Sequence, residues 1–188
     1  MIFRPLLAWT ISAAVLAYTP TAPEILFKMA ATLRKTPPVE ARVIREDPDG
    51  DVFEEVLLTV PWRAGSTKNL KAALDLPYAM ITLPAEELRE IFPSIASTEA
   101  LVNLGRLNGK VCYILEGKDE RLWVSKDDLI PLKLEILSEK RLGTHYLYLN
   151  MVKISEKAYY PSRTEVWRDD ELILVERLVP ATTSTEEP

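Results

Sequence analysis

The sequence predicts an α+β fold in which a long antiparallel sheet is accompanied by two helices. Along most of the chain, apolar and polar residues alternate, which is typical of strands with one buried face. Short Asx-Gly or acidic turns separate the alternating stretches, so consecutive strands pair as hairpins. A simple closed barrel would not need two separate helices. We therefore expect a strongly curved, open sheet with the helices filling its hollow.

The first 17 residues have the layout of a secretory signal peptide. Arg4 supplies a positive charge, an apolar run extends from Leu6 to Tyr18, and the small residue Ala17 offers a cleavage site. The run has about 13 residues, fewer than the roughly 20 that a membrane-spanning helix needs. We therefore predict that residues 1–17 direct export of the chain. If the segment were not cleaved, it would instead anchor the chain in the inner membrane.

Length and composition favour one ordinary globular domain. We assign residues 18–180 to this domain and expect the polar tail, residues 181–188, to be disordered. The formal net charge of -5 argues against a nucleic-acid partner. A single cysteine, Cys112, and a single histidine, His145, cannot supply a structural zinc site. We expect a monomer without a metal or cofactor.

Two stretches show the spacing and the end signals of helices. The first begins with a Thr-x-x-Glu capping box from Thr21 to Glu24 and ends before two consecutive prolines. Its apolar residues recur every four positions and form one stripe: Ile25, Met29 and Leu33. The second helix, predicted within residues 82–92, has acidic residues in its first turn and a proline after its end.

The strands are predicted from period-two patterns and turn residues. Residues 39–46 and 51–62 are predicted to form a first hairpin around the DPDG turn. Residues 63–76 are weakly patterned and predicted to be a loop with a short helical piece. From residue 100 onward we expect about six antiparallel strands. Asn108-Gly109 provides a preferred two-residue hairpin turn, and a KDD turn joins ERLWV to IPLKLEI.

The sequence contains no recognisable catalytic motif, and we predict that the chain is not an enzyme. There is no phosphate-binding glycine loop and no nucleophile elbow. His145 lies within a strand among apolar residues, and Cys112 is interpreted as a small strand hydrophobe. Asp127-Asp128 and residues 169–171 fall at turn tips, where solvated aspartates bond their own backbone. An enzyme would require an additional cluster of reactive groups around His145.

Residues 111–136, VCYILEGKDERLWVSKDDLIPLKLEI, resemble a segment of the outer-membrane lipoprotein-sorting proteins of the LolA and LolB type. In that family a Leu-Trp-Val-Asp/Ser-Lys turn is followed by Leu-x-Pro-Leu-Lys/Arg, which matches Leu122 to Lys126 and Leu129 to Lys133 here. The stretch AYYPSRTEVWRDDELILVERL and the first helix are also similar to the family in position and character. The middle section is shorter than in the family. In the family an arginine closes the lid over the cavity. Arg63 is the nearest arginine in this sequence, but the shortened middle section does not allow that role to be assigned to it.

This resemblance implies an incomplete antiparallel β-barrel, a half-barrel, with helices over the concave face and an apolar cavity beneath them. It also implies a periplasmic carrier of lipid or lipoprotein acyl chains, with inner- or outer-membrane proteins as further partners. The residues assigned to the lipid-binding wall are alternate apolar residues of two neighbouring strands: Ile130, Leu132, Leu134, Ile136, Leu147, Leu149 and Met151. The residues assigned to the lid are Leu88, Ile91 and Phe92 on the second helix.

Two alternatives stay open at this point. The chain could be a non-enzymatic sensor or structural module of the same fold, anchored by its N-terminus, that binds a partner protein through a sheet edge. Each residue of the wall could also belong to an ordinary packed core, since every sheet domain buries residues of this kind.

Overall fold

Residues 19–33, 39–60, 85–136, 145–155 and 158–180 are described by the computed structural model of the chain. They form two helices, α1 (Ala22–Leu33) and α2 (Ala85–Ile91), and nine strands. The strands are β1 (Val39–Glu46), β2 (Val52–Val60), β3 (Leu101–Leu107), β4 (Lys110–Glu116), β5 (Glu120–Ser125), β6 (Pro131–Ile136), β7 (His145–Ser155), β8 (Ala158–Arg168) and β9 (Glu171–Pro180). The predicted signal peptide, the 63–76 loop and the polar tail lie outside the described residues.

Helix α1 begins where the capping box predicts. The backbone N–H of Thr21 donates to Glu24 Oε2 at 2.8 Å, so the acidic side chain satisfies a donor at the helix start. The predicted apolar stripe is completely buried: Ile25, Met29 and Leu33. Burying side chains of this size contributes about 1.5 to 3 kcal/mol each. Helix α1 is therefore held mainly by its packing against the rest of the domain.

All nine strands belong to one antiparallel sheet with the order β2-β1-β9-β8-β7-β6-β5-β4-β3. The described sheet is open, with β2 and β3 at its edges, so the prediction of an open antiparallel sheet with two helices is confirmed. Seven strands follow α2, where the sequence predicted about six. Pairing between β1 and β9 joins the first hairpin to the end of the meander, and the sequence pattern did not predict this contact.

Turn chemistry explains the register of the hairpins. Asn108 and Gly109 both have positive φ angles, 50° and 80°, as the tight turn between β3 and β4 requires. Asp169 and Asp170 adopt the same conformation between β8 and β9, with φ angles of 49° and 66°. In the first hairpin, Asp47 Oδ1 accepts hydrogen bonds from the backbone of Asp49 and Asp51.

Both helices and strands β4 to β8 share one hydrophobic core. Its largest completely buried members come from both layers: Ile25, Leu26, Met29, Leu33, Leu88, Phe92, Ile95, Leu115, Leu122, Ile130 and Leu134. A second, smaller cluster holds β1 against β9 through Ala41, Val43 and Leu178. The two helices therefore pack in one core with strands β4 to β8, while β1 packs separately against β9.

Candidate functional site

The structure brings the predicted wall residues together. Ile130, Leu134, Ile136 and Leu149 are buried members of the shared core. Leu132 and Met151 are partly buried and pack against it. The side chain of Leu147 lies outside the described residues, although its backbone pairs with Leu134 and Val166.

The residues assigned to the lid also belong to this core. Leu88 and Phe92 are buried, and Ile91 packs against the same cluster. The segment that follows α2 is tied to the turn between β4 and β5, because Ser94 Oγ donates to Glu120 Oε2. In this arrangement α2 is a packed part of the domain.

A cavity of about 670 Å³ lies beside the core. Three of the predicted wall residues line it, namely Leu132, Leu149 and Met151. The rest of its lining is Leu107, Asn108, Lys110, Asn150, Arg163, Glu165, Trp167 and Asp170. The volume falls within the roughly 300 to 1,000 Å³ that is typical of small-molecule sites. Of the predicted wall, then, Ile130, Leu134 and Ile136 pack the interior, whereas Leu132, Leu149 and Met151 line the cavity, Leu149 while also belonging to the buried core.

The pairing of β7 explains the position of the cavity. β7 pairs with β6 only from His145 to Tyr148, but it pairs with β8 as far as Ser155. β6 starts at Pro131 with a bulge opposite β5, and its pairing with β7 ends at Lys133. Leu149, Asn150 and Met151 therefore lie on the part of β7 that is not paired with β6, and all three line the cavity.

One side of the cavity carries paired charges. Glu165 accepts a hydrogen bond from Arg163 Nε on Oε1 at 2.9 Å and from Trp167 Nε1 on Oε2 at 3.2 Å. Both of its oxygens are thus occupied by side chains of the same strand. Lys110 Nζ lies 3.5 Å from Asp128 Oδ2, a long separation for an ion pair.

Asp128 is more than the solvated turn residue that the sequence indicated. Its backbone N–H donates to Ser125 Oγ at 3.3 Å, and its carboxylate lies 3.4 Å from the hydroxyl of Tyr159. Burial raises the pKa of the Tyr159 hydroxyl, and the nearby Asp128 carboxylate raises it further. The turn between β5 and β6 is thereby connected to β8.

The opposite face of β5 and β6 carries a buried charge cluster that the sequence did not reveal. Glu135, 5% exposed, accepts hydrogen bonds from Arg121 Nη1 at 2.9 Å and Trp123 Nε1 at 3.2 Å. Lys133 Nζ lies 2.7 Å from the same carboxylate. Arg121 also pairs with Glu116 at 2.6 Å. In the sequence, the one signal for this cluster is the period-two pattern of β5 and β6. It places Trp123, Lys133 and Glu135 together on the face opposite the apolar residues.

Of the remaining candidates, the structure describes the side chain of Cys112. Cys112 is fully buried, and burial raises the pKa of its thiol, which disfavours the nucleophilic thiolate. The side chain of His145 and the whole of Arg63 lie outside the described residues. Among the residues that the structure describes, no three His, Cys, Asp or Glu side chains are grouped to hold a metal ion. Neither described helix is long and apolar enough to cross a membrane.

Comparison with known proteins gives similar folds at low sequence identity. No protein-family model and no curated protein matches the sequence. A DUF1329 family protein from Desulfovibrio piger is 14% identical, covers 86% of this chain and 92% of its own, and has a TM-score of 0.47. A LolA superfamily protein from Nitrosomonas europaea is 14% identical, covers 87% and 92%, and has a TM-score of 0.44. A putative outer membrane lipoprotein-sorting protein domain from Vibrio parahaemolyticus is 10% identical, covers 88% and 94%, and has a TM-score of 0.46.

Proposed function

We propose that this protein is a non-enzymatic carrier that binds a lipid or a lipoprotein acyl chain in the cavity beside β7. The observation that carries the proposal is the amphipathic lining of that cavity. Leu132, Leu149 and Met151 form one apolar wall, and Leu107 adds a fourth apolar side chain. Charged side chains, two amides and the indole of Trp167 complete the lining. A space of this composition suits a molecule with an apolar chain and a polar end.

The energetics favour such a ligand without any specific chemistry. Burial of a methylene group is worth about 0.8 kcal/mol, so a fully buried dodecyl chain would contribute on the order of 9 kcal/mol. Part of this gain is offset by the loss of ligand freedom on binding. An apolar wall with a few polar groups is therefore sufficient for binding.

We further propose that the sheet is a half-barrel whose concave face is covered by the helices. Two observations support this curvature. Lys110 on β4 and Arg163 on β8 line the same cavity, although β4 and β8 are four places apart in the sheet. In a flat sheet these strands would be about 19 Å apart. In addition, α1 and α2 pack in one core with the strands that lie between β3 and β9.

Export and partners follow from the same proposal. The apolar N-terminal stretch with the layout of a signal peptide supports a periplasmic location, with anchorage in the inner membrane if it is not cleaved. A carrier there would receive its lipid or lipoprotein from one membrane and deliver it to another, so membrane proteins are its expected partners. We propose that it acts as a monomer.

The proposal is tested by equilibrium dialysis of the purified full-length chain against radiolabelled dodecanol, a neutral single-chain ligand. We expect saturable binding. Leu132→Glu should weaken it by about tenfold or more, because a carboxylate on the apolar wall would lose its hydration when the chain binds. Leu104→Glu is the matched control, since Leu104 is 62% exposed on β3 and does not line the cavity. Absence of saturable binding of both dodecanol and dodecanoate to the wild-type chain would refute the proposal.

A partner-binding sensor module is the second candidate, and the edge strand β3 favours it. Leu101 and Leu104 are 64% and 62% exposed on a strand that has a neighbour on only one side in the described sheet. Exposed apolar residues on an edge strand invite pairing with another chain. This candidate predicts that Leu104→Lys abolishes complex formation with the partner, whereas Leu132→Glu leaves it intact.

A further inference from the structure

We propose that the ligand of the cavity is a single-chain amphiphile with an anionic end group, a carboxylate or a phosphate, recognised by Arg163 and Lys110. This inference rests on the proposed lipid-binding function and specifies the chemistry of the ligand. It comes from the hydrogen bonds of the charged side chains around the cavity. Arg163 and Lys110 have N–H groups that are still available to a ligand, whereas both oxygens of Glu165 already accept hydrogen bonds.

Arg163 is the principal candidate for contact with the anion. It lines the cavity and uses Nε to donate to Glu165 Oε1 at 2.9 Å. Its two terminal nitrogens make no hydrogen bond within the part of the chain that the structure describes. A guanidinium group presents its terminal N–H groups as a planar fork that matches a carboxylate or phosphate. Glu165 thus orients Arg163 and leaves this fork for a ligand.

Lys110 and two amide side chains add further donors. The Lys110 ammonium is 3.5 Å from Asp128, and about half of its side chain is exposed, so this ion pair is weak and can be replaced. Asn108, at the tip of the β3–β4 turn, and Asn150, opposite Arg163 on β7, also line the cavity. Side-chain amides can donate to an anion without carrying a charge themselves.

The two carboxylates of the lining do not cancel this preference. Glu165 has both oxygens occupied, by Arg163 and by Trp167 Nε1, so its charge is already compensated. Asp170 lies in the turn beyond the end of β8, seven residues along the chain from Arg163 and beyond Glu165 and Trp167. The end of the cavity near Arg163 therefore still offers unused N–H donors to an anion, although Glu165 balances the charge of Arg163.

The test compares four ligands that share a dodecyl chain and differ in their end group. Dodecanoate, dodecyl phosphate, dodecanol and dodecyltrimethylammonium are each titrated against the full-length chain, the three charged ligands below their critical micelle concentrations and dodecanol below its solubility limit. We expect the two anions to bind about tenfold or more tightly than dodecanol, because each gains charge-assisted hydrogen bonds. The ammonium ligand should bind most weakly. The ratio between the two anions distinguishes a fatty acid from a phosphate-bearing lipid as the natural source.

Substitutions assign the preference to the named residues. In the double variant Arg163→Gln/Lys110→Gln, the ratio of dodecanoate affinity to dodecanol affinity should fall close to one. Arg42→Gln is the matched control, since Arg42 is an exposed arginine on β1 that pairs with Glu55 and does not line the cavity. We expect it to keep the wild-type ratio.

Two results would overturn the inference and leave the proposed function standing. The first is dodecanol binding to the wild-type chain as tightly as the anions. The second is an anion preference that survives in a folded double variant. If none of the four ligands binds, the proposed function fails as well, so the two failures are distinguishable.

Discussion

The hydroxyl of Tyr159 on β8 lies 3.4 Å from Asp128 Oδ1 in the turn between β5 and β6. β8 and β6 are separated by β7 in the sheet, so this contact spans the region where β6 fails to accompany the second half of β7. The same carboxylate lies near Lys110, a lining residue of the cavity. Tyr159 therefore supports the rim of the proposed binding site.

Removing this hydroxyl should destabilise the domain modestly. Tyr159→Phe deletes the contact with Asp128, and we expect a loss of about 1 kcal/mol in the free energy of unfolding, since the separation is long for a hydrogen bond. The change in the free energy of unfolding is measured by urea denaturation, with circular dichroism as the signal. Tyr160→Phe, a neighbouring partly buried tyrosine, serves as control and should change stability less. Equal losses in both variants would mean that the Asp128 contact contributes nothing.

The same residue predicts a pH dependence. The pKa of Tyr159 is raised above its ordinary value of 10.0, chiefly by burial and then by Asp128. Between pH 10.0 and the raised pKa of the folded state, Tyr159 loses its hydroxyl proton in the unfolded chain but keeps it in the folded chain. The free energy of unfolding therefore falls as the pH rises through this interval. We expect the urea midpoint of the wild type to drop more between about pH 8 and pH 11 than that of Tyr159→Phe. Parallel pH profiles of the two proteins would contradict this account.

The charge cluster behind the sheet should be sensitive to loss of its acid. Glu135→Gln removes the carboxylate that pairs with Arg121 and Lys133. We expect a loss of about 3 kcal/mol, the lower end for a broken buried pair, because Arg121 is about a third exposed and also pairs with Glu116.

The control for this substitution is Glu55→Gln, which breaks the exposed pair between Glu55 and Arg42. It should cost less than about 1 kcal/mol. Both losses are read from urea unfolding. If Glu135→Gln were as mild as the control, the cluster would not be stabilised by its charges.

Gly117 should tolerate no side chain. A Cβ atom there would lie 2.2 Å from Ser94 Oγ, 2.7 Å from the Ser94 carbonyl carbon and 2.8 Å from the Ile95 backbone nitrogen. Since the backbone must move, Gly117→Ala should cost about 2 kcal/mol or more and loosen the segment after α2. Gly105→Ala should cost less, because its nearest neighbour is the end of the Ile114 side chain at 2.6 Å. Thermal unfolding compares the two, and the reverse order would refute this packing.

Cys112 should be protected from thiol reagents in the native state. Its side chain is fully buried on β4, and burial raises its pKa. We expect reaction with Ellman's reagent only in the unfolded chain, at a rate that follows the unfolding equilibrium. Rapid modification of the folded chain would show that β4 is accessible to solvent.

Local patterns predicted the elements well because each carries its own chemical signal. The capping box at Thr21 and Glu24 began α1 as expected, and Asn108-Gly109 formed the turn that its backbone preferences require. Period-two alternation placed Leu134 and Leu149 on the core face. These features depend on residues close together in the chain.

Long-range relationships could not be predicted in the same way. The β1–β9 pairing and the short β6 depend on contacts between distant strands, and neither leaves a local pattern in the sequence. For this reason the predicted wall contained both Leu134, which packs the core, and Leu132, which borders the cavity. The polar lining residues Arg163 and Lys110 were missed because each looks like an ordinary surface cation until the fold places both on one cavity.

The central claim is that the cavity holds an acyl chain, and native mass spectrometry of the chain recovered from cells tests it most directly. The account predicts a population whose excess mass is released on mild denaturation and identified by lipid extraction as a single-chain acyl compound. The same preparation of Leu132→Glu should lack that mass, and that of Leu104→Glu should retain it. A wild-type chain that is recovered folded and bare, and stays bare after incubation with dodecanoate, would contradict the claim.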